Sequence, residues 1–115
     1  MSMQTDNFIL KEKWEKLSVY IFSNILNSIP NNEKYTLGSD IRCILWDTDG
    51  YIVQVASKFG DRKALLEMID VNAKKLLSMI KLGIDINAIP RKRHEPVSKM
   101  LVEIGKIVGG LMKTA

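Results

Sequence analysis

The sequence predicts an all-α fold, an up-down-up-down antiparallel bundle of four helices, and three observations carry that expectation. Only three prolines and seven glycines interrupt 115 residues. Leu, Ile, Lys and Met are plentiful, and such a composition favours helix. Apolar residues recur three and four positions apart in four separate stretches, the spacing that gathers side chains on one helical face. Hydrophobic residues are 46% and charged residues 26%, an ordinary globular balance, and the length suits one domain (1–115) with one core.

The first helix is expected over about 6–28. Thr5 or Asp6 can cap it, a side-chain oxygen accepting a free backbone N–H of the first turn. Trp14, Leu17, Ile21 and Ile25, with Phe22 at the flank, form its main apolar stripe, while Phe8, Ile9, Val19, Tyr20 and Leu26 extend apolar character to other faces. Lys11, Glu12, Lys13, Glu15 and Lys16 read as solvated surface. Ile29-Pro30-Asn31-Asn32 ends the helix, because a residue before proline is pushed out of the helical region.

The second helix, about 33–59, competes with a β-hairpin. Asp49-Gly50 is a strong hairpin turn, flanked by residues that suit strands. At helical period, however, Leu37, Ile41, Ile44, Leu45, Thr48, Ile52, Val55, Ala56 and Phe59 form one stripe that passes through the supposed turn in phase. A lone hairpin would also be an orphan among helices, so helix is the expected state, with Gly50 a weak point or a close contact. Asp47-Thr48-Asp49-Gly50 imitates part of a calcium loop. If Gly50 is the invariant glycine, Leu45 and Ala56 occupy positions that need carboxylates, so no calcium site is expected.

Gly60 can take a left-handed conformation at a helix end and Asp61 can cap the next helix. This third helix, about 61–84, turns Leu65, Leu66, Met68, Ile69, Ala73, Leu76, Leu77, Ile80 and Ile84 inward and Lys63, Glu67, Asp70, Lys74, Ser78 and Lys81 outward. Asp85 to Pro96 reads as a loop. Within it Arg91-Lys92-Arg93-His94 is the densest positive run, either a solvated connection or a phosphate-contacting patch. Cations just before a helix are mildly unfavourable to it, which leans toward a function. His94 is the sole histidine and lacks the partners of a metal site.

Pro96, at a first helical position, opens the last helix, about 96–113. Val97, Met100, Leu101, Ile104, Ile107, Val108, Leu111 and Met112 share its apolar face, and Lys99, Glu103, Lys106 and Lys113 the opposite one. Between them runs a small strip: Ser98, Val102, Gly105 and Gly109. Glycine inside a helix costs roughly 1 kcal/mol against alanine. The strip therefore implies a close approach, by tight packing inside one bundle or at a subunit interface.

Composition excludes several classes. Cys43 is the only cysteine, so no intrachain disulfide can form, as suits a reducing compartment; its apolar surroundings predict a small core residue. MSMQTDNF lacks a basic region followed by an apolar run, and no run approaches the roughly 18 apolar residues of a membrane span, so a cytoplasmic, non-membrane protein is expected. A net charge of +4 permits a polyanionic partner without demanding one. There is no glycine-rich phosphate loop, paired-cysteine spacing or nucleophile–base pair, which points to a non-enzyme with no cofactor.

Three segments carry a family resemblance: KWEKLSVYIFSNILNSIPNNEKYTLGSDIRCIL, SKFGDRKALLEMIDVNAKKLLSMIKLGI and VEIGKIVGGLM. Ser28-Ile29-Pro30 and Glu103 to Gly109 are their most specific parts. Together they resemble the accessory variability determinant (Avd) proteins of diversity-generating retroelements, from about Leu10 to Met112. The resemblance implies four-helix bundles that assemble as barrel-shaped homopentamers with a positive surface. It implies binding to the retroelement's reverse transcriptase and association with RNA and DNA. The pair would support mutagenic cDNA synthesis from template-repeat RNA, and so retrohoming, with no catalysis by the accessory protein. Basic residues on the third helix of some members match Lys74, Lys75 and Lys81 here, where lysine offers a point charge rather than arginine's fork. Arg91, Lys92 and Arg93 are a second candidate surface.

Two other readings compete. One is the family of four-helix proteins encoded by intervening sequences in large-subunit ribosomal RNA genes, whose SIPANIAEGFGR-type run is replaced here by Asp49-Gly50-Tyr51-Ile52. The other is a self-assembling helical scaffold with no nucleic-acid role.

Overall fold

A computed structural model describes residues 3–114, and among them every regular element is helical. The long helices are α1 (Met3–Asn24), α2 (Ser39–Ala56), α3 (Arg62–Asp85) and α4 (His94–Met112). A 3-10 turn (Leu26–Ser28) follows α1. One α turn (Asn31–Glu33) and a π turn (Lys34–Gly38) run without a break into α2. A second 3-10 turn (Arg91–Arg93) leads directly into α4.

Each long helix packs on two neighbours, α1 on α2 and α4, α3 on α2 and α4. The result is a four-helix rod of 43 × 23 × 19 Å. Its centre is built from the stripes the spacing predicts: Trp14, Leu17 and Ile21 meet Ile41, Leu45 and Ile52, then Leu66, Ile69 and Leu76, then Val97, Ile104 and Val108. Trp14 is fully buried, and its Nε1–H donates to the Leu45 carbonyl at 3.2 Å. That bond satisfies the indole where water cannot. A buried polar pair joins α2 and α3: Asn72 Nδ2 of α3 donates to Thr48 Oγ1 of α2 at 3.0 Å, and the same hydroxyl donates to the Ile44 carbonyl at 2.6 Å.

The helix wins over the hairpin across Asp49-Gly50. Thr48, Ile52 and Val55 are all buried on one side of α2, which two strands could not achieve in this phase. A Cβ on Gly50 would meet nothing within 4 Å, so this glycine answers to no close contact.

Several boundaries and burials differ from expectation. α1 already begins at Met3; the capping side chains expected of Thr5 and Asp6 lie outside the described side chains. α2 stops at Ala56, because Lys58 (φ 58°) and Gly60 (φ 83°) turn left-handed, and Phe59 is left 74% exposed. Asp61 caps α3 as expected, Oδ1 accepting from the Ala64 amide at 3.2 Å. The stretch 91–96, expected as loop, is helical from Arg91 onward, and Pro96 sits third in α4. Its missing N–H has no intrahelical partner to lose there. Cys43 is exposed rather than in the core. The 100° step turns it away from the side on which Ile41, Ile44 and Leu45 are buried. Met68 and Ala56 are exposed for the same reason.

Candidate nucleic-acid and partner interface

The α3–α4 corner positions the basic residues. Gly83 accepts two amides through one carbonyl, from Ala88 at 2.8 Å and Ile89 at 3.0 Å. A Cβ on Gly83 would lie 2.9 Å from Ile89 Cγ1 and 2.9 Å from Leu37 Cδ2, and closer still to Ile89 Cδ1. Asn87 supplies the left-handed residue that reverses the chain (φ 62°). Ala88 and Ile89 are buried, so the corner is pinned to the core.

That pinned corner brings Lys81 of α3 beside Arg91 and Lys92, which follow it by ten and more positions in sequence. With Ile84, Asp85, His94 and Glu95 they line an open groove of about 500 Å³. Asp85 and Glu95 moderate its positive charge. Arg93 belongs to the same basic run but turns inward. It is half-buried, and its Nη1 donates to the Tyr20 hydroxyl of α1 at 3.5 Å. Arg93 thus ties the corner to the bundle rather than facing solvent.

Lys74 and Lys75 form a different surface. They line a shallow depression of about 390 Å³ with Val71, Ser78 and Met79. Lys74 is also paired with Asp70 one turn earlier, at 2.9 Å. Lys75 borders a second depression between α2 and α3 with Asp40, Cys43, Asp47 and Asn72. The six sequence-predicted basic residues therefore divide into Lys74 and Lys75 at mid-helix, Lys81, Arg91 and Lys92 at the corner, and the inward Arg93. Among the described residues no three His, Cys, Asp or Glu side chains converge as metal ligands would.

Among the described residues nothing packs closely on the two glycines of the small strip of α4. A Cβ on Gly105 or Gly109 would meet nothing within 4 Å; Ser98 is half-buried and Val102 is 54% exposed. Tight packing of this strip inside one bundle is thus not what the fold uses. The glycine that does admit a close neighbour is Gly83, which its position near a helix end disguises in the sequence.

One feature escaped the sequence reading. Between α1 and α2 lies an apolar groove of about 570 Å³ lined by Val19, Phe22, Leu45 and Trp46, with Lys11, Glu15 and Asp49 at its rim. The Phe22 and Trp46 rings stand 6.2 Å apart at 56°, within the range of favourable tilted aromatic pairs. Val19 and Trp46 are each 65% exposed. Their signal was present: both fall off the apolar stripe of an amphipathic helix. Lys11 bridges the groove's end, its Nζ 2.8 Å from both Asp49 Oδ1 and Glu15 Oε1. The hydrogen bond to Asp49, then that to Glu15, hold the Lys11 pKa above its usual 10.5. Lys13 similarly joins α1 to α4 through Glu103 at 2.8 Å, which raises its pKa.

Among known proteins, a family model described as bAvd-like matches residues 8–115. A search of curated proteins and a search of solved structures each return no match. No helix among the described residues is long and apolar enough to cross a membrane.

Proposed function

The chain belongs to the bAvd-like family, and from that premise we propose that it is the non-catalytic accessory protein of a diversity-generating retroelement. In this reading it binds the element's reverse transcriptase together with template-repeat RNA and its cDNA copy. It acts in the cytoplasm as a homo-oligomer, a pentamer by family resemblance, and supports mutagenic retrohoming without catalysing a step.

One observation supports the nucleic-acid part above the others: the corner gathers Lys81, Arg91 and Lys92 into one groove. Three side chains converging from two elements suit phosphates better than a solvated run would. Such contacts release counterions from the nucleic acid, so binding weakens as salt rises.

The first test is purification of the tagged protein from its native host at low salt, with and without nuclease. A reverse transcriptase retained after nuclease supports the accessory reading through direct protein contact. Ribosomal RNA and ribosomal proteins alone would favour the intervening-sequence family, and the protein by itself would favour a scaffold. The second test separates the two surfaces. Lys81→Glu/Arg91→Glu/Lys92→Glu is expected to lower RNA affinity and flatten the log-affinity against log-salt slope by about 2 to 3. Lys74→Glu/Lys75→Glu is expected to weaken reverse transcriptase binding while circular dichroism stays unchanged. An RNA slope unaltered by the corner variant would remove the corner from the nucleic-acid site.

A further inference from the structure

His94 lines the corner groove beside the three cations assigned to phosphate, yet has no role there so far. It is the sole histidine of the chain. Histidine is also the side chain whose charge ordinarily changes between about pH 5 and 8. The 3-10 turn runs into α4 at this residue, so Arg93 and His94 are successive helical positions and point to different sides. Arg93 turns inward to Tyr20 of α1. His94, half-buried, faces the groove with Lys81 and Asp85 of α3, Arg91 and Lys92 of the turn, and Glu95 of its own helix.

Lys99 completes the set of charges, because it pairs with Glu95 one turn earlier, at 3.0 Å. Four cations and two carboxylates thus surround the groove, a net of two positive charges, and a proton on His94 makes it three. The groove is small, about 500 Å³, so a phosphate seated between Lys81, Arg91 and Lys92 lies beside the ring. A neighbouring anion favours the charged form of an imidazole. The charged ring in turn offers the phosphate a second N–H and one more countercharge.

We propose that His94 is a fourth phosphate-contacting residue of this groove, and that nucleic acid bound there takes up a proton at His94. This role rests on the reading of the corner as a nucleic-acid site and adds a regulation to it: binding tightens as pH falls through neutrality and loosens as it rises. One proton from solvent converts imidazole to imidazolium on binding, and release of the nucleic acid returns it. The coupling is reciprocal, since the factor by which the proton raises affinity is the factor by which bound nucleic acid strengthens His94's hold on the proton. One further cation steepens the salt dependence of single-strand binding by about 0.7 in log affinity against log salt. Counted from a reference of about 1 M, that is about fivefold in affinity at about 0.1 M salt.

The test uses the full, untagged chain, because a tag of histidines would titrate in the same range. Rhodamine-labelled oligouridine is the probe, since uridine neither gains nor loses a proton there. Anisotropy is measured from about pH 5.5 to 8, above the usual carboxylate range and below that of lysine. Wild-type affinity is expected to rise about fivefold toward the acid end, and its salt slope to steepen by about 0.7. His94→Gln is expected to stay flat at the wild type's alkaline affinity, and His94→Lys flat at its acid affinity. A wild type that binds without pH dependence, or His94→Gln that keeps the dependence, would overturn the role of His94 alone. Oligouridine that fails to bind at any pH, or binds equally to Lys81→Glu/Arg91→Glu/Lys92→Glu, would overturn the nucleic-acid reading of the corner and the role of His94 with it. Should a His94 variant lose helicity by circular dichroism, proton NMR of the wild type decides instead. Its single histidine gives one set of ring signals, whose titration is expected to move upward by about 0.7 in pH when oligouridine saturates the protein. No movement on saturation would sink the proposal.

Discussion

Thr48 and Asn72 are each buried, and each satisfies the other across the α2–α3 seam. Thr48→Val removes the acceptor and strands the Asn72 amide in the core, which is expected to cost about 1–3 kcal/mol in urea denaturation. Adding Asn72→Leu removes the stranded donor and is expected to recover most of that loss. Lys11 provides a second test, this time by pH. Its folded-state pKa is raised, so its pairs with Asp49 and Glu15 stabilise the fold fully below 10.5 and lose their effect as pH climbs through the raised value. Asp49→Asn is therefore expected to lower stability by about 0.5–1 kcal/mol near pH 8. The difference between variant and wild type should fade in strongly alkaline solution. The helical phase of Thr48 is legible in the sequence, which places it on the inward stripe. Its partner is not, because Asn72 lies 24 positions away and nothing local marks the pairing. Cys43 misleads for a related reason: apolar neighbours in sequence say little about burial when successive residues point 100° apart.

Among the elements, the glycines of two helices make opposite forecasts. Gly50 lies in mid-α2 with open space where its Cβ would be. Gly50→Ala is expected to stabilise the protein by about 0.5–1 kcal/mol, because alanine loses less backbone freedom in a helix. Gly83, in the last turn of α3, lies against Ile89 and Leu37. Gly83→Ala is expected to destabilise by about 1–3 kcal/mol through overpacking, and thermal unfolding would rank the two variants. The existence of the four long helices and most of their inward stripes follow from periodicity. Their ends do not. The second helix stops at Ala56 because Lys58 goes left-handed, and a lysine gives no warning of that. The 3-10 turn at Arg91–Arg93 is likewise hidden, since three basic residues and a proline read as loop until the corner is built.

For the whole molecule, the division between what holds the rod together and what it presents runs through the single basic run 91–93. Arg93 anchors the corner to Tyr20, whereas Lys92 lines the groove. Arg93→Ala is expected to lower stability by about 0.5–1.5 kcal/mol, through a lost hydrogen bond and lost stem packing, with little change in RNA affinity. Lys92→Ala is expected to do the reverse, and paired melting and filter-binding measurements would separate them. The sequence locates the positive run but cannot sort its members, because the sorting depends on how the 3-10 turn rotates each side chain. It also places Gly105 and Gly109 on a strip of their own without showing that the bundle leaves both glycines facing open space. An even number of antiparallel helices has one more effect, on how the protein can be handled. The first and last described residues, Met3 and Thr114, share the end of the rod with the α2–α3 turn, and the basic corner occupies the other end of a 43 Å axis. A fluorophore or affinity handle fused at either terminus therefore sits far from that corner. The same proximity of the termini makes a short linker joining them, with new ends opened at Lys58-Phe59, a natural route to a circular permutant.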